Sequence, residues 1–267
     1  MMSYLNVLAD NSNVKFLAKN EQGYQMEFTI LSEKDKTVSM SSAKGDAKDE
    51  KDKIIIPEKV TYNGVEYTVT EIGEGAFEWK NKRYKAATVV LPPTIKRINN
   101  AAFLRNLDLQ HINLPEGLVS IGDEAFEWCD KLQPVKFPTS LVDIGKGAFV
   151  SWKKVGIFKS LDIPNSVRVI GEMAFGKMNM WGAFQPPVDY EIINIPPIVD
   201  ETNCEKMGIS RRSVTEYLAA HPRNYQQQGV YYAQGQQPVV QHEKEFRARV
   251  LQPLQQPALV SGHPQGG

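Results

Sequence analysis

Apolar residues in this chain recur on a long period, longer than the three-to-four spacing of a helix or the alternation of a strand. Four segments align without gaps: Leu91-Pro92-Pro93-Thr94-Ile95-Lys96-Arg97-Ile98, Leu114-Pro115-Glu116-Gly117-Leu118-Val119-Ser120-Ile121, Phe137-Pro138-Thr139-Ser140-Leu141-Val142-Asp143-Ile144 and Ile163-Pro164-Asn165-Ser166-Val167-Arg168-Val169-Ile170. Each is followed, after four intervening positions, by a phenylalanine preceded by alanine. These are Phe103, Phe126, Phe149 and Phe175, spaced by 23, 23 and 26 residues. An earlier unit has the same ends, Ile56-Pro57, Ile72-Gly73 and Ala76-Phe77, around a hairpin signal, Tyr62-Asn63-Gly64-Val65. A period in the low twenties suits one short strand and one tight irregular or helical turn per unit.

Stacking assigns a role to each position. One unit cannot bury its apolar side alone, so the recurring residues must face neighbouring copies. The expected core is Ile72, Phe77, Leu91, Ile98, Phe103, Leu114, Ile121, Phe126, Phe137, Ile144, Phe149, Ile163, Ile170 and Phe175, with Cys129 and Leu132 in the slots after Phe126. Proline after the first apolar residue has no N–H to donate and should end a strand. Gly73, Gly122, Gly145 and Gly171 follow the second isoleucine, where a bare backbone should ease the next bend. Asn99 takes that place in the second unit and tolerates a left-handed backbone.

The pattern Ile-Pro-x-x-Val-x-x-Ile-Gly-x-x-Ala-Phe-x-x-Cys-x-x-Leu resembles the BspA-type (Treponema pallidum-type) leucine-rich repeats of many bacterial surface proteins, Bacteroidetes among them. Glu124-Ala125-Phe126-Glu127-Trp128-Cys129-Asp130-Lys131-Leu132 reproduces its second half. Gln25–Ser32 and the Val60–Gly64 turn also resemble the entry region of such proteins. The resemblance implies a leucine-rich-repeat solenoid, a right-handed coil of short parallel strands joined by turns or short helices, over residues 54–184 in about five units.

The flanks differ in kind. Residues 1–53 hold three β-rich stretches, Val14 to Leu17, Tyr24 to Leu31 and Thr37 to Met40, separated by turn signals at Asn20 to Gly23 and Ser32 to Asp35. They are expected to form a β-rich N-terminal cap, followed by a charged loop, Ser41 to Lys53, that lacks the ligand spacing of a calcium loop. Residues 185–224 read as a C-terminal cap: a closing strand near Gln185-Pro186-Pro187 and Ile195-Pro196-Pro197, then a short helix whose capping box is Ser213-Val214-Thr215-Glu216. Residues 225–267 are rich in Gln, Pro and Gly and are expected to be disordered.

Charge and candidate chemistry narrow the function. Lys plus Arg number 31 and Asp plus Glu 31, so no global field draws in a nucleic acid. No apolar run is long enough to span a bilayer. The first residues lack the features of a secretory signal, which leaves a cytoplasmic protein or a sequence that begins after its export signal. Four scattered histidines show no metal-ligand spacing, and no nucleophile elbow or phosphate loop occurs, so neither an enzyme nor a cofactor is expected.

The tryptophans divide by alignment. Trp152 falls in the slot of Cys129 and Trp181 in that of Leu132, so both are expected in the core or a cap. Trp79 and Trp128 each lie two residues after a repeat phenylalanine, at a position the core does not require. They read either as partly buried packing or as an aromatic contact site. Val90, Asn113, Lys136 and Asp162 should form the outward row of the parallel sheet, a surface solenoids use for binding, but one apolar, one amide, one basic and one acidic residue define no ligand class and read more readily as a solvated ladder. The expected function is a non-catalytic protein-interaction scaffold, by resemblance a secreted or cell-surface adhesion protein contacting host or matrix proteins. The alternative is a glycan-binding module built on the exposed tryptophans.

Overall fold

The computed structural model describes residues 13–44, 53–78, 87–153, 156–179 and 181–223. The charged loop around 45–52, Trp79 and the tail 225–267 lie outside the described residues. By internal contacts the chain divides after His221, and the remaining unit, Pro222–Gly267, contributes only Pro222 and Arg223 to the description.

Three antiparallel strands open the first unit: β1 (Lys15–Lys19), β2 (Gln25–Ser32) and β3 (Thr37–Lys44). Alternate β2 residues Met26, Phe28 and Ile30 are buried, as the two-residue period of a strand with one buried face requires. β3 then pairs in parallel with β6 (Val65–Ile72), which forms a hairpin with β5 (Lys59–Tyr62). Asn63 and Gly64 both take positive φ, 48° and 76°, the left-handed pair that a two-residue hairpin turn matching strand twist needs.

From β6 a parallel ladder runs through one short strand per unit: β8 (Arg97–Ile98), β10 (Ser120–Ile121), β11 (Asp143–Ile144) and β13 (Val169–Ile170). Its register aligns Ile72, Ile98, Ile121, Ile144 and Ile170, all buried. The ladder therefore passes through the second isoleucine of each unit and joins the N-terminal strands into a single sheet.

The strand before proline was expected to carry the sheet, but it forms only two fragments. One is β4 (Lys53–Ile55), β7 (Thr88–Val90) and β9 (His111–Ile112); the other is β12 (Ser160–Asp162) with β14 (Glu191–Asn194). The unit between them has no strand at Val135–Phe137. Pro134 is the cause: it occupies the place of His111, whose N–H bonds to the Ala87 carbonyl, and proline has no hydrogen to make the equivalent bond. At the other side of the fragment, the Asn20 and Gln22 amides close the edge of β4. Gln22 Oε1 accepts from Ile55 N at 2.9 Å, Gln22 Nε2 donates to Lys53 O at 2.7 Å and Asn20 Nδ2 donates to Ile55 O at 2.8 Å. Two side chains thus satisfy groups that an added strand would otherwise take.

The turn at Ala-Phe is the most regular part of each unit. The residue two before each phenylalanine is left-handed: Gly75, Ala101, Glu124, Gly147 and Met173, with φ between 53° and 61°. Holding a non-glycine residue there costs roughly 1–2 kcal/mol. Hydrogen bonds between units offset it, among them Ala101 N to Asp123 O, Phe103 N to Ala125 O, Glu124 N to Lys146 O and Phe126 N to Ala148 O, each 2.8 Å. These bonds set one unit on the next at strand spacing, and the phenylalanine rings follow. Phe77, Phe103, Phe126, Phe149 and Phe175 form a parallel stack with centroids 4.9, 5.0, 5.2 and 5.6 Å apart.

The glycines after the second isoleucine serve a different purpose from the bend expected of them. None has positive φ, and neither does Asn99. A Cβ on Gly122 would lie 2.6 Å from Asn100 N, and one on Gly145 would lie 2.5 Å from Asp123 N. Glycine is required there because adjacent backbones touch.

Beyond Phe175 the last unit is covered by a 3-10 helix, Cys204–Met207, through Met173 N to Lys206 O and Phe175 N to Met207 O. Cys204, which the repeat pattern leaves unexplained, is fully buried in this cover. Helix α1 (Arg211–Ala220) follows. It starts earlier than the expected capping box, because Ser210, in extended conformation at φ −68° and ψ 143°, is the N-cap and accepts from Ser213 N.

Candidate interaction face

The face bearing β7 and β9 holds an open cleft of about 300 Å³. It is lined by Thr88, Val90, Gln110, His111, Asn113 and Pro134 along with Val89, Ile112 and Gln133. Two residues of the expected outward row, Val90 and Asn113, are thereby brought together. Asn113 is partly spent on structure: its Oδ1 accepts from Leu91 N at 2.8 Å and its Nδ2 donates to Leu91 O at 2.9 Å. Lys136 and Asp162 are exposed but line neither this cleft nor its neighbour, since the missing strand at Val135–Phe137 interrupts the row. The neighbouring cleft, of about 440 Å³, shares Gln110 and Gln133 and adds Asp130, Lys131 and Lys153. Asp130 is buried, accepts from the Ser151 hydroxyl, and has its carboxyl raised above the usual range by burial, opposed by that hydrogen bond and by Lys153.

A second feature lies on the edge formed by the residues just after each phenylalanine. Arg105 and Trp128 sit two positions after Phe103 and Phe126, both left-handed at φ 57° and 61°. The Arg105 guanidinium lies 4.3 Å from the Trp128 ring centroid, and Trp152 stacks on Trp128 at 5.6 Å. Arg105 belongs to the preceding unit and Trp152 to the following one, so Trp128 is a half-buried rung held from both sides. Its indole nitrogen is buried without a hydrogen-bond acceptor, which leaves stacking to hold it. Beside it, buried Glu127 is pushed up to about 7 by desolvation, then by the like charge of Glu124, against the lowering effect of Arg105.

Residues 53–182 match the model of the BspA-type leucine-rich repeat region, in six copies. This stretch belongs to that family. The copy number exceeds by one the five units counted from the Ala-Phe spacing. Among solved structures the chain is similar to a leucine-rich repeat protein from Bacteroides ovatus, at 28% identity over 58% of this chain and 39% of that one, with a TM-score of 0.47. It is similar to the Treponema pallidum leucine-rich repeat protein at 27% identity over 59% and 65%, TM-score 0.47. A leucine rich cell surface protein from Faecalibacterium prausnitzii aligns at 19% identity over 68% and 56%, TM-score 0.39. The chain spans less than two thirds of the length of each. The curated proteins contain no match.

Within the BspA-type units the phenylalanines, second isoleucines, Leu91, Cys129, Leu132, Phe137 and Ile163 are buried, and Leu114 is half-buried. Cys129 Sγ donates to Phe103 O at 3.1 Å, and complete burial drives its thiol far above the usual range, so it packs and does not react. Trp152 and Trp181 depart from their expected slots. Trp152 is 45% exposed, because the unit after Phe149 is three residues longer and Ile157 and Phe158 fill the core there. Phe158 meets Phe137 edge-on at 6.3 Å. Trp181 is 86% exposed, between the bridged residues Met178 and Phe184. Among the described residues no group of His, Cys, Asp and Glu is placed to hold a metal, and no helix is long and apolar enough to cross a membrane.

Proposed function

We propose that this protein is a non-catalytic protein-interaction scaffold whose contact surface is the strand-side face around Val90, His111 and Asn113, extending toward Lys136 and Asp162. The right-handed solenoid would be closed by the N-terminal strands and by the segment 185–224, and would hold that face rigid. The observation that carries this reading is the cleft at Pro134, where the ladder stops and an otherwise regular surface gains a local concavity with Gln110, His111 and Gln133 on its rim. A rigid surface loses little conformational entropy on binding, and a concavity lets a partner side chain be desolvated. The BspA-type repeat supports a secreted or cell-surface setting and a host or matrix protein as partner.

The glycan-binding reading has weaker support. Trp128, one of its two platforms, has both ring sides occupied by Arg105 and Trp152 and offers no open face for a sugar ring. The test is an array of extracellular-matrix proteins and glycans probed with the full chain and with a Val90→Arg/His111→Glu variant. A protein signal lost in the variant supports the scaffold reading. A protein signal unchanged by the variant places the contact elsewhere, and a glycan signal alone favours the alternative.

A further inference from the structure

We infer that Glu127, Arg105 and Trp128 form a proton-operated latch: while the Glu127 carboxyl is protonated the Arg105 guanidinium covers one face of the Trp128 indole, and once it is ionised the guanidinium leaves the ring to pair with the carboxylate. The three side chains issue from backbones that are pinned to one another and to the next unit. Arg105 N donates to Glu127 O at 2.8 Å, and Trp128 N to Val150 O at 2.8 Å, so the exchange needs only a turn of the Arg105 side chain. In the closed state the guanidinium lies 4.3 Å from the indole centroid, and Trp152 stacks on the indole at 5.6 Å from the following unit.

The carboxyl stands where the neighbouring units place an apolar side chain. Glu127 follows Phe126 as Leu104 follows Phe103 and Val150 follows Phe149. Glu127 is 8% exposed, and a Cβ on Gly147 would lie 3.8 Å from its Oε2, 3.6 Å from Val150 Cγ2 and 3.6 Å from Glu124 Cγ. That oxygen therefore shares a small space above Gly147 with a methyl and a methylene. Among the described residues no side-chain hydrogen bond or ion pair reaches the carboxyl. The charges that face it are Glu124 from its own turn and Arg105 from the preceding unit. In the following unit Lys146, next to Gly147, is turned to Glu172 at 3.6 Å.

Burial and the charge of Glu124 hold the proton on Glu127 up to about 7, against the lowering effect of Arg105. Below that value a neutral carboxyl offers the guanidinium nothing stronger than the indole ring. Above it a carboxylate can accept two parallel N–H bonds, which outweigh a cation–π contact made by an exposed arginine. The like charge of Glu124 favours the same exchange. The opened state gives Trp128 the free ring face that the closed state denies it.

The test is acrylamide quenching of tryptophan emission in the full chain between about pH 5.5 and 8.5. The expected result is a rise in quenching with a midpoint near 7, absent from Glu127→Gln and from Trp128→Phe. Arg105→Gln should be quenched at every pH to the level that the unaltered chain reaches only above the midpoint. Far-ultraviolet circular dichroism that stays constant over the range separates the latch from loosening of the fold, and a rise in quenching that runs with loss of the strand signal overturns the inference. So does the absence of any rise, a rise that persists in Glu127→Gln or Trp128→Phe, or one that is as large in Arg105→Gln as in the unaltered chain.

Discussion

The units from Leu91 to Ile144 and the segment from Ser151 to Gln185 use similar residues to opposite ends. In the first, apolar side chains of successive units pack in register: Phe103 stacks on Phe126, Ile98 pairs beside Ile121, and Leu118 and Leu141 are both fully buried. In the second, three additional residues after Phe149 remove Trp152 from a slot that would have buried it, and Trp181 stands exposed between the bridged residues Met178 and Phe184. The difference shows that burial in a stacked fold depends on phase. An aromatic residue belongs to the core only while the chain between it and its counterpart keeps the repeat length.

The comparison can be broken most sharply at Gly145. Replacing it with alanine drives a Cβ into the backbone of the preceding unit, so Gly145→Ala should destabilise by about 3 kcal/mol or more or prevent folding, as read by denaturant unfolding. Phe126→Ala removes the middle of the ring stack and should cost about 3–5 kcal/mol in the same measurement, with the cavity shared by Phe103 and Phe149.

Glu127 gives a pH-dependent effect. Its carboxyl is raised from 4.5 to about 7, so the folded chain holds this proton more tightly than the unfolded one. Its contribution is full below the unfolded value and is lost as pH rises through 7. Glu127→Gln should match the unaltered protein near pH 4 and exceed it near pH 8 by on the order of 2 kcal/mol. Thermal unfolding at the two pH values decides this, and a larger advantage at low pH would contradict the assignment.

Smaller effects are expected in the second region. Ser210→Ala removes the N-cap of α1 and should cost about 1 kcal/mol, seen as a small loss in the unfolding midpoint. Trp181→Ala should change stability by no more than about 0.5 kcal/mol, since the side chain packs against little. A substantial loss there would mean that this side chain is part of the packing.

Much of the core was legible because stacking imposes a strict spacing on residues that differ little in chemistry. Phe126 and Cys129 could be placed inside from the repeat alone. The interaction face was less legible. Val90 and Asn113 come together at the cleft, but Lys136 and Asp162 are separated from it by the effect of Pro134, a substitution whose consequence depends on the hydrogen bond His111 makes. Gln110, His111 and Gln133 emerge as rim residues from the arrangement of three units. The one signal available in the sequence was the proline at a strand position.

The sequence by itself determined the unit, its apolar slots and the family of the repeat, because a period near 23 residues leaves few ways to bury those side chains. The tertiary structure decided which segment carries the continuous ladder, why glycine follows the second isoleucine, and which tryptophans face solvent. Those outcomes depend on distances between backbones in different units and on the local phase of the stack. Neither quantity is a property of any one residue or of its near neighbours in the chain.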